Sequence, residues 1–337
     1  MRSLRHATVV LAVSALLATG LTSPAQAAIY TNAEIEGDNG FENQSAVACT
    51  YSNIVQSPSV SNVPIVENGP AATVTQSNSA RLSRDSDLTD FIDLASNITA
   101  AAKMTSSGGN PARITMDAKG SVQAVSSKGT STCKTSVYSY AYVESDFSVT
   151  NPGWFLYDYA ASRWNYGEIH ITRPDGEEFE VSNRQRAWKG SGRLFLDPGI
   201  YELYMETDAW IDLASATVPV TPVNVNLHLT YYKAGAALQK AQGKAKPYVK
   251  FPRARSCASH DLDLKTKSKA PKASLIKLLV NGKVAKSIKN PKAGKKVSLA
   301  VADTDDAAVV ARVTLKPTKK GGKPVTVESA ASYLACA

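Results

Sequence analysis

The feature that most constrains this chain is a run of thirteen positions in which alternate residues are apolar or small: Ile92, Leu94, Ser96, Ile98, Ala100, Ala102 and Met104. Side chains repeat every 3.6 residues around a helix and every two along a strand, so only an extended strand puts these seven on one face. The same rhythm returns in Thr135, Val137, Ser139, Ala141 and Val143, and in Val223, Val225, Leu227 and Leu229. A chain built this way needs a second sheet to cover its apolar faces.

Turn chemistry separates the strands. Ile169 and Ile171 lead into Arg173-Pro174-Asp175-Gly176-Glu177, and Phe179 and Val181 follow. Proline presets one backbone angle of such a turn and glycine accepts the other, which predicts a hairpin. Leu194 to Leu203, with Asp197-Pro198-Gly199 inside it, reads as strand, tight turn, strand. Asn281-Gly282 between apolar residues is the favoured two-residue hairpin turn, and Lys319-Lys320-Gly321-Gly322-Lys323 marks another. We therefore expect an all-β chain: a jelly-roll-like sandwich over residues 28–232 and a smaller Ig-like sandwich over 257–337.

Two of these segments carry a resemblance. Leu194–Leu203 resembles the L-x-P-G-x-Y-x-L corner of secreted bacterial β-sandwiches. The stretch from Asn281-Gly282-Lys283 to Tyr333 and Cys336 is similar to the Ig-like modules that end some exported bacterial proteins. The resemblance implies a fold and an exported setting. Adhesins, glycan binders and enzymes all carry such modules, so it implies no single function.

The N-terminus points the same way. Arg2 and Arg5 precede an apolar stretch from Ala7 to Leu21, and Ala25-Gln26-Ala27 is a small-x-small cleavage site. That is the pattern of a secretory signal, with a mature chain expected from Ala28. No later stretch is long and apolar enough to predict a membrane-spanning helix. The four cysteines fit an oxidising compartment. Pairing Cys49 with Cys133 and Cys257 with Cys336 keeps each bridge inside one expected domain. Zinc sites use close ligand pairs such as Cys-x-x-Cys, which are missing, so neither metal nor cofactor is expected.

Charge divides the mature chain. Residues 28–232 hold 13 Lys/Arg and 23 Asp/Glu, a net −10, whereas residues 233–337 hold 23 and 6, a net +17. Between the halves, residues 233–256 combine Lys, Ala, Gly and Pro with little periodicity, which predicts a mobile basic linker. In the basic half, Lys265, Lys267 and Lys269 alternate and are expected on one strand face. Lys283, Lys286, Lys319 and Lys320 add to a field that attracts polyanions. For an exported protein these are anionic cell-wall polymers or acidic glycans. Only Tyr333 offers a ring in residues 257–337, so nucleic-acid base stacking is not expected.

All four tryptophans fall between residues 154 and 210. Trp154, Tyr157, Trp164, Tyr166 and Trp188 lie among polar neighbours and are the candidate stacking platforms for a sugar ring. Catalytic motifs are sparse. His170 and His228 sit in alternating strands, His260 follows Cys257, and neither a Gly-x-Ser-x-Gly elbow nor a His-Glu-x-x-His helix occurs. Asp85, Asp87, Asp90 and Asp93 offer hard oxygens of the kind that bind Ca²⁺, but lack the glycine and distal glutamate of an EF-hand and read as a solvated loop. The leading expectation is an exported, noncatalytic binding or envelope-associated protein with a glycan, polymer or protein partner. The alternatives are a secreted glycan or ester hydrolase with an accessory module, and a structural or adhesive protein whose halves dock by charge.

Overall fold

The computed structural model describes residues 28–57, 62–162, 165–183, 188–319 and 321–337. The expected signal segment, residues 1–27, lies outside them, as do Trp164 and Lys320. The chain is all-β, with a single 3₁₀ turn at Ala270–Lys272 among the described residues.

Two antiparallel sheets form the first sandwich. In spatial order the first is β10 (Glu178–Asn183), β9 (Asn165–Thr172), β12 (Gly199–Ala216), β7 (Thr130–Val149), β1 (Tyr30–Asn43) and β3 (Val63–Pro64). The second is β11 (Trp188–Leu196), β8 (Gly153–Ala161), β13 (Val218–Lys233), β6 (Asn110–Ser126), β5 (Asp87–Ser107), β4 (Ala72–Arg84) and β2 (Cys49–Gln56). The alternating positions point inward: Ile92, Leu94, Ile98, Ala100, Ala102 and Met104 of β5 are at most 2% exposed. They meet Val137, Ala141, Val143 and Phe147 of β7 from the facing sheet. The Pro174–Gly176 turn closes the β9–β10 hairpin, with Gly176 N–H donating to Arg173 C=O at 2.9 Å. The Pro198-Gly199 corner instead carries the chain from the seven-stranded sheet to the six-stranded one. Tyr201 latches it by donating its hydroxyl to Asp197 C=O at 2.8 Å.

A polar layer divides this core into two apolar clusters. Among the described residues, β3 covers β1 only at Glu34 and Ile35, so the rest of that edge lacks a strand partner. Gln76 and Asn78 reach across from β4 instead. Their amides donate to Gly37 C=O at 2.5 Å and Asn39 C=O at 2.6 Å. Both side chains are buried, so each bond keeps an edge carbonyl from being stranded without water. Asn78→Ala is expected to cost about 1–3 kcal/mol, the penalty of a buried group losing its partner. A denaturant titration showing the few tenths typical of a surface change would refute this role.

The second sandwich begins earlier than expected. Its five-stranded sheet runs β14 (Ala237–Gly243), β21 (Thr326–Tyr333), β20 (Ala307–Leu315), β17 (Ala273–Val280) and β18 (Lys283–Lys289). Its three-stranded sheet runs β15 (Val249–Lys250), β16 (Asp261–Thr266) and β19 (Lys296–Ala300). The stretch 233–256, expected as a mobile linker, therefore supplies two strands. β14 pairs with β21, and β15 with β16. Its weak periodicity follows from its position: β14 is an edge strand, largely exposed, and β15 is two residues long. Leu262, Leu264, Val297 and Leu299 face Ile276, Leu278, Val309, Ala311 and Tyr333 across the core. Asn281 and Gly282 both take positive φ, at 48° and 79°, as the predicted hairpin turn requires.

The expected disulfides form. Cys49–Cys133 joins the edge strand β2 to β7 across the first sandwich, and Cys257–Cys336 ties the loop after β15 to the C-terminal residues. The two sandwiches meet at β8 and β11. Trp154 donates its indole N–H to Ala335 C=O at 2.9 Å, as does Gly235 N–H at 3.1 Å. Arg193 covers the Trp154 ring at 4.5 Å and donates to both carboxylate oxygens of Asp306 at 2.7 Å. A cleft of about 510 Å³ opens beside this junction, between Leu156, Ser191, Arg193, Leu238 and Leu334.

Candidate functional site: two charged sheet faces

The outward face of the six-stranded sheet is built from the residues that alternate with the core positions. In β7 these are Ser136, Tyr138, Tyr140, Tyr142, Glu144 and Asp146. Antiparallel register places their partners beside them. One row across the strands reads Gly40, Tyr138, Trp210, and the next Asp38, Tyr140, Asp208, Tyr166. A third reads Glu36, Tyr142, Glu206, Glu168, and a fourth Glu34, Glu144, Tyr204, His170, Glu180. The last reads Asp146, Glu202, Thr172, Glu178. Among the described residues, these rows contain neither Lys nor Arg.

The rings form a ladder. Trp210 stacks on Tyr138 at 5.5 Å between centroids, Tyr138 on Tyr140 at 6.2 Å, Tyr140 on Tyr142 at 6.4 Å and Tyr142 on Tyr204 at 5.6 Å. Gly40 makes room for this packing, since a Cβ there would stand 2.5 Å from the Tyr138 hydroxyl. The hydroxyls bind the carboxylates: Tyr142 donates to Glu36, Tyr166 to Glu168, and Tyr204 to Glu206 at 2.8 Å. Partial burial, reinforced by Asp38 and Glu36, pushes the Tyr140 phenol up to about 12. Desolvation first, then Glu34, Asp146 and Glu202, raises the Glu144 carboxyl. The face is thus a strongly negative surface on which further negative charge is costly.

The second face belongs to the three-stranded sheet. Register puts Lys250 opposite Lys265 and Lys265 opposite Lys296, so three lysines stand in one row. All three are exposed, and with Arg253, Phe251 and Asp263 they line a groove of about 460 Å³. Only Lys265 of the expected strand trio joins the row. β16 ends at Thr266, Lys267 donates its backbone N–H to Tyr248 C=O at 2.8 Å and its Nζ–H to Lys246 C=O at 3.1 Å, and Lys269 precedes the 3₁₀ turn. Lys283 and Lys286 lie on β18, the edge of the other sheet, and Lys319 lies in the turn before β21.

The remaining candidates disperse. Trp154 is consumed by the junction, and Tyr157 packs on the core beside Tyr159 and Phe179. Tyr166 sits on the acidic face. Trp188 opens β11, paired with Ala161. Each described histidine meets a carboxylate. His170 lies 3.4 Å from Glu178, His260 2.5 Å from Asp303, and His228 bridges Asp158 at 3.0 Å and Asp117 at 3.2 Å. The four aspartates diverge, with Asp85 exposed in the turn between β4 and β5. Asp87 pairs with Lys128 and Thr89, which hold its carboxyl down to about 2. Asp90 is buried and accepts from Thr132, and Asp93 clasps Arg81. Among the described residues, no group of three or more His, Cys, Asp or Glu could hold a metal ion.

No protein family matches this chain, and no curated protein matches it. Solved structures give a loose likeness. The adhesin domain of Epf from Streptococcus pyogenes covers 88% of this chain and 89% of its own, at 9% identity and a TM-score of 0.22. A β-glucuronidase from Ruminococcus gnavus covers 57% of this chain and 35% of its own, at 9% identity and a TM-score of 0.18. The GH31 α-xylosidase from Xanthomonas citri covers 54% and 34%, at 8% identity and a TM-score of 0.17. The chain thus spans about a third of the length of both enzymes. Superpositions this loose do not define a common topology.

Proposed function

We propose that this chain is an exported, noncatalytic binding protein held at the cell envelope by contact between its lysine row and anionic polymers. The in-register placement of Lys250, Lys265 and Lys296 is the observation that supports this reading. Like charges directly opposite one another weaken a sheet, so such a row favours binding of a polyanion that neutralises it. The two disulfides fit the exported setting, and among the described residues no helix is long and apolar enough to cross a membrane. The carbohydrate expectation rested partly on Trp154 and Tyr157, and their engagement in junction and core leaves the polyanion contact as the better supported one.

The test is retention of the chain on purified cell wall across a salt series. A lysine near an anionic surface contributes about 1 kcal/mol. Lys250→Gln/Lys265→Gln/Lys296→Gln is therefore expected to weaken retention by roughly 100-fold at low salt. Retention that ignores both the triple substitution and high salt would sink the proposal.

A further inference from the structure

We propose that the tyrosine–carboxylate face of the six-stranded sheet docks the lysine row of a second copy of this chain, so that copies associate head to tail. Each surface sets like charges side by side. On the acidic side Glu34 lies directly opposite Glu144, and Asp146 opposite Glu202. On the basic side Lys250, Lys265 and Lys296 are neighbours. Both are rows running across strands, so their charges repeat at the same inter-strand spacing of about 5 Å. A three-lysine row laid along Glu34, Glu144 and Tyr204, or along Asp146, Glu202 and Thr172, meets a carboxylate at two of its three steps and a hydroxyl at the third.

The two surfaces do not meet within one copy. The second sandwich is fastened to β8 and β11 of the seven-stranded sheet, whereas the acidic face is the outside of the other sheet. The junction even inverts the charge pattern, because Arg193 comes from the acidic half and Asp306 from the basic half. The partner that fits the acidic face is therefore another molecule bearing this lysine row. Different patches meet in such a contact, so each bound pair retains one open acidic face and one open lysine row, and growth continues.

The inference goes beyond envelope retention but uses the same lysines, so the experiment separates the two. The mature chain is followed by sedimentation velocity at about 0.01 M and about 1 M salt, where the screening length is about 30 Å and about 3 Å. The expected result is an apparent mass at least twice that of the monomer at low salt and monomer at high salt. Glu34→Lys/Asp38→Lys/Glu202→Lys sets three lysines among the carboxylates of the acidic face, and Lys250→Glu/Lys265→Glu/Lys296→Glu reverses the row. Each variant alone is expected to stay monomeric at low salt. Mixed in equal amounts they are expected to associate again, because the intact lysine row of one meets the intact acidic face of the other. The acidic-face variant is expected to keep its retention on cell wall, while the row variant loses it. A monomeric wild-type chain at low salt overturns the inference without touching the retention proposal. Assembly that survives reversal of either face, or a mixture that stays monomeric, also overturns it. The wild-type salt series decides the matter should either variant fail to fold.

Discussion

Replacing Cys49 and Cys133 together by alanine is expected to lower the stability of the first sandwich by about 4 kcal/mol, the chain-entropy value for a closed loop of this size. The bridge spans 84 residues and connects the outermost strand of one sheet to an inner strand of the other. Without it, β2 keeps its irregular pairing with β4, where the register shifts between Ser52 and Val55, and two hydrogen bonds to the other sheet, from Asn43 to Cys49 C=O at 2.8 Å and between Tyr51 and Thr135 at 3.3 Å. Cys133 is fully buried among Leu82, Ile92 and Val137, so the substitution also removes packing around its sulfur. Thermal unfolding with the Cys257–Cys336 bridge intact should show a loss of roughly 10 °C. A loss of only a degree or two would mean that the core alone keeps the two sheets in register.

Phe147→Ala should cost about 4 kcal/mol, within the range for deleting a buried aromatic ring. Phe147 is 1% exposed and lies 5.3 Å from both Phe155 of the facing sheet and Tyr201 of the neighbouring strand. Its loss opens a cavity where the two sheets touch and loosens the ring that latches the Pro198-Gly199 corner. Trp210→Ala provides the comparison. That ring is larger but 42% exposed and stacks only across the outer ladder, so a cross-strand value of about 0.2–1 kcal/mol is expected. Similar costs for the two substitutions in denaturant titrations would contradict the assignment of one ring to the core and the other to a binding face.

Much of the fold was legible because it depends on near neighbours along the chain. Alternation along β5, β7 and β13 announced strands and their inward faces, and Asn281-Gly282 and Pro174–Gly176 announced two hairpins. The stretch 233–256 was misread because an edge strand and a two-residue strand carry almost no period. The acidic face left a signal that could have been read. The positions between Val137, Ala141 and Val143 spell Tyr138, Tyr140 and Tyr142, followed by Glu144 and Asp146. The tryptophan cluster points instead to Trp154, whose indole is engaged at the junction.

The lysine row had no comparable signal. Lys250, Lys265 and Lys296 are far apart in sequence, and an alternating trio, Lys265, Lys267 and Lys269, offered a nearer pattern. The all-β class, the inward parity of the long strands and the separation of charge between the two halves follow from side-chain period and composition, which are local properties. Tertiary structure alone decided which strands pair, where the sandwiches join and which like charges stand side by side. Register between distant strands is set by turns, bulges and the packing of a shared core, and none of these is written at any one position of the chain.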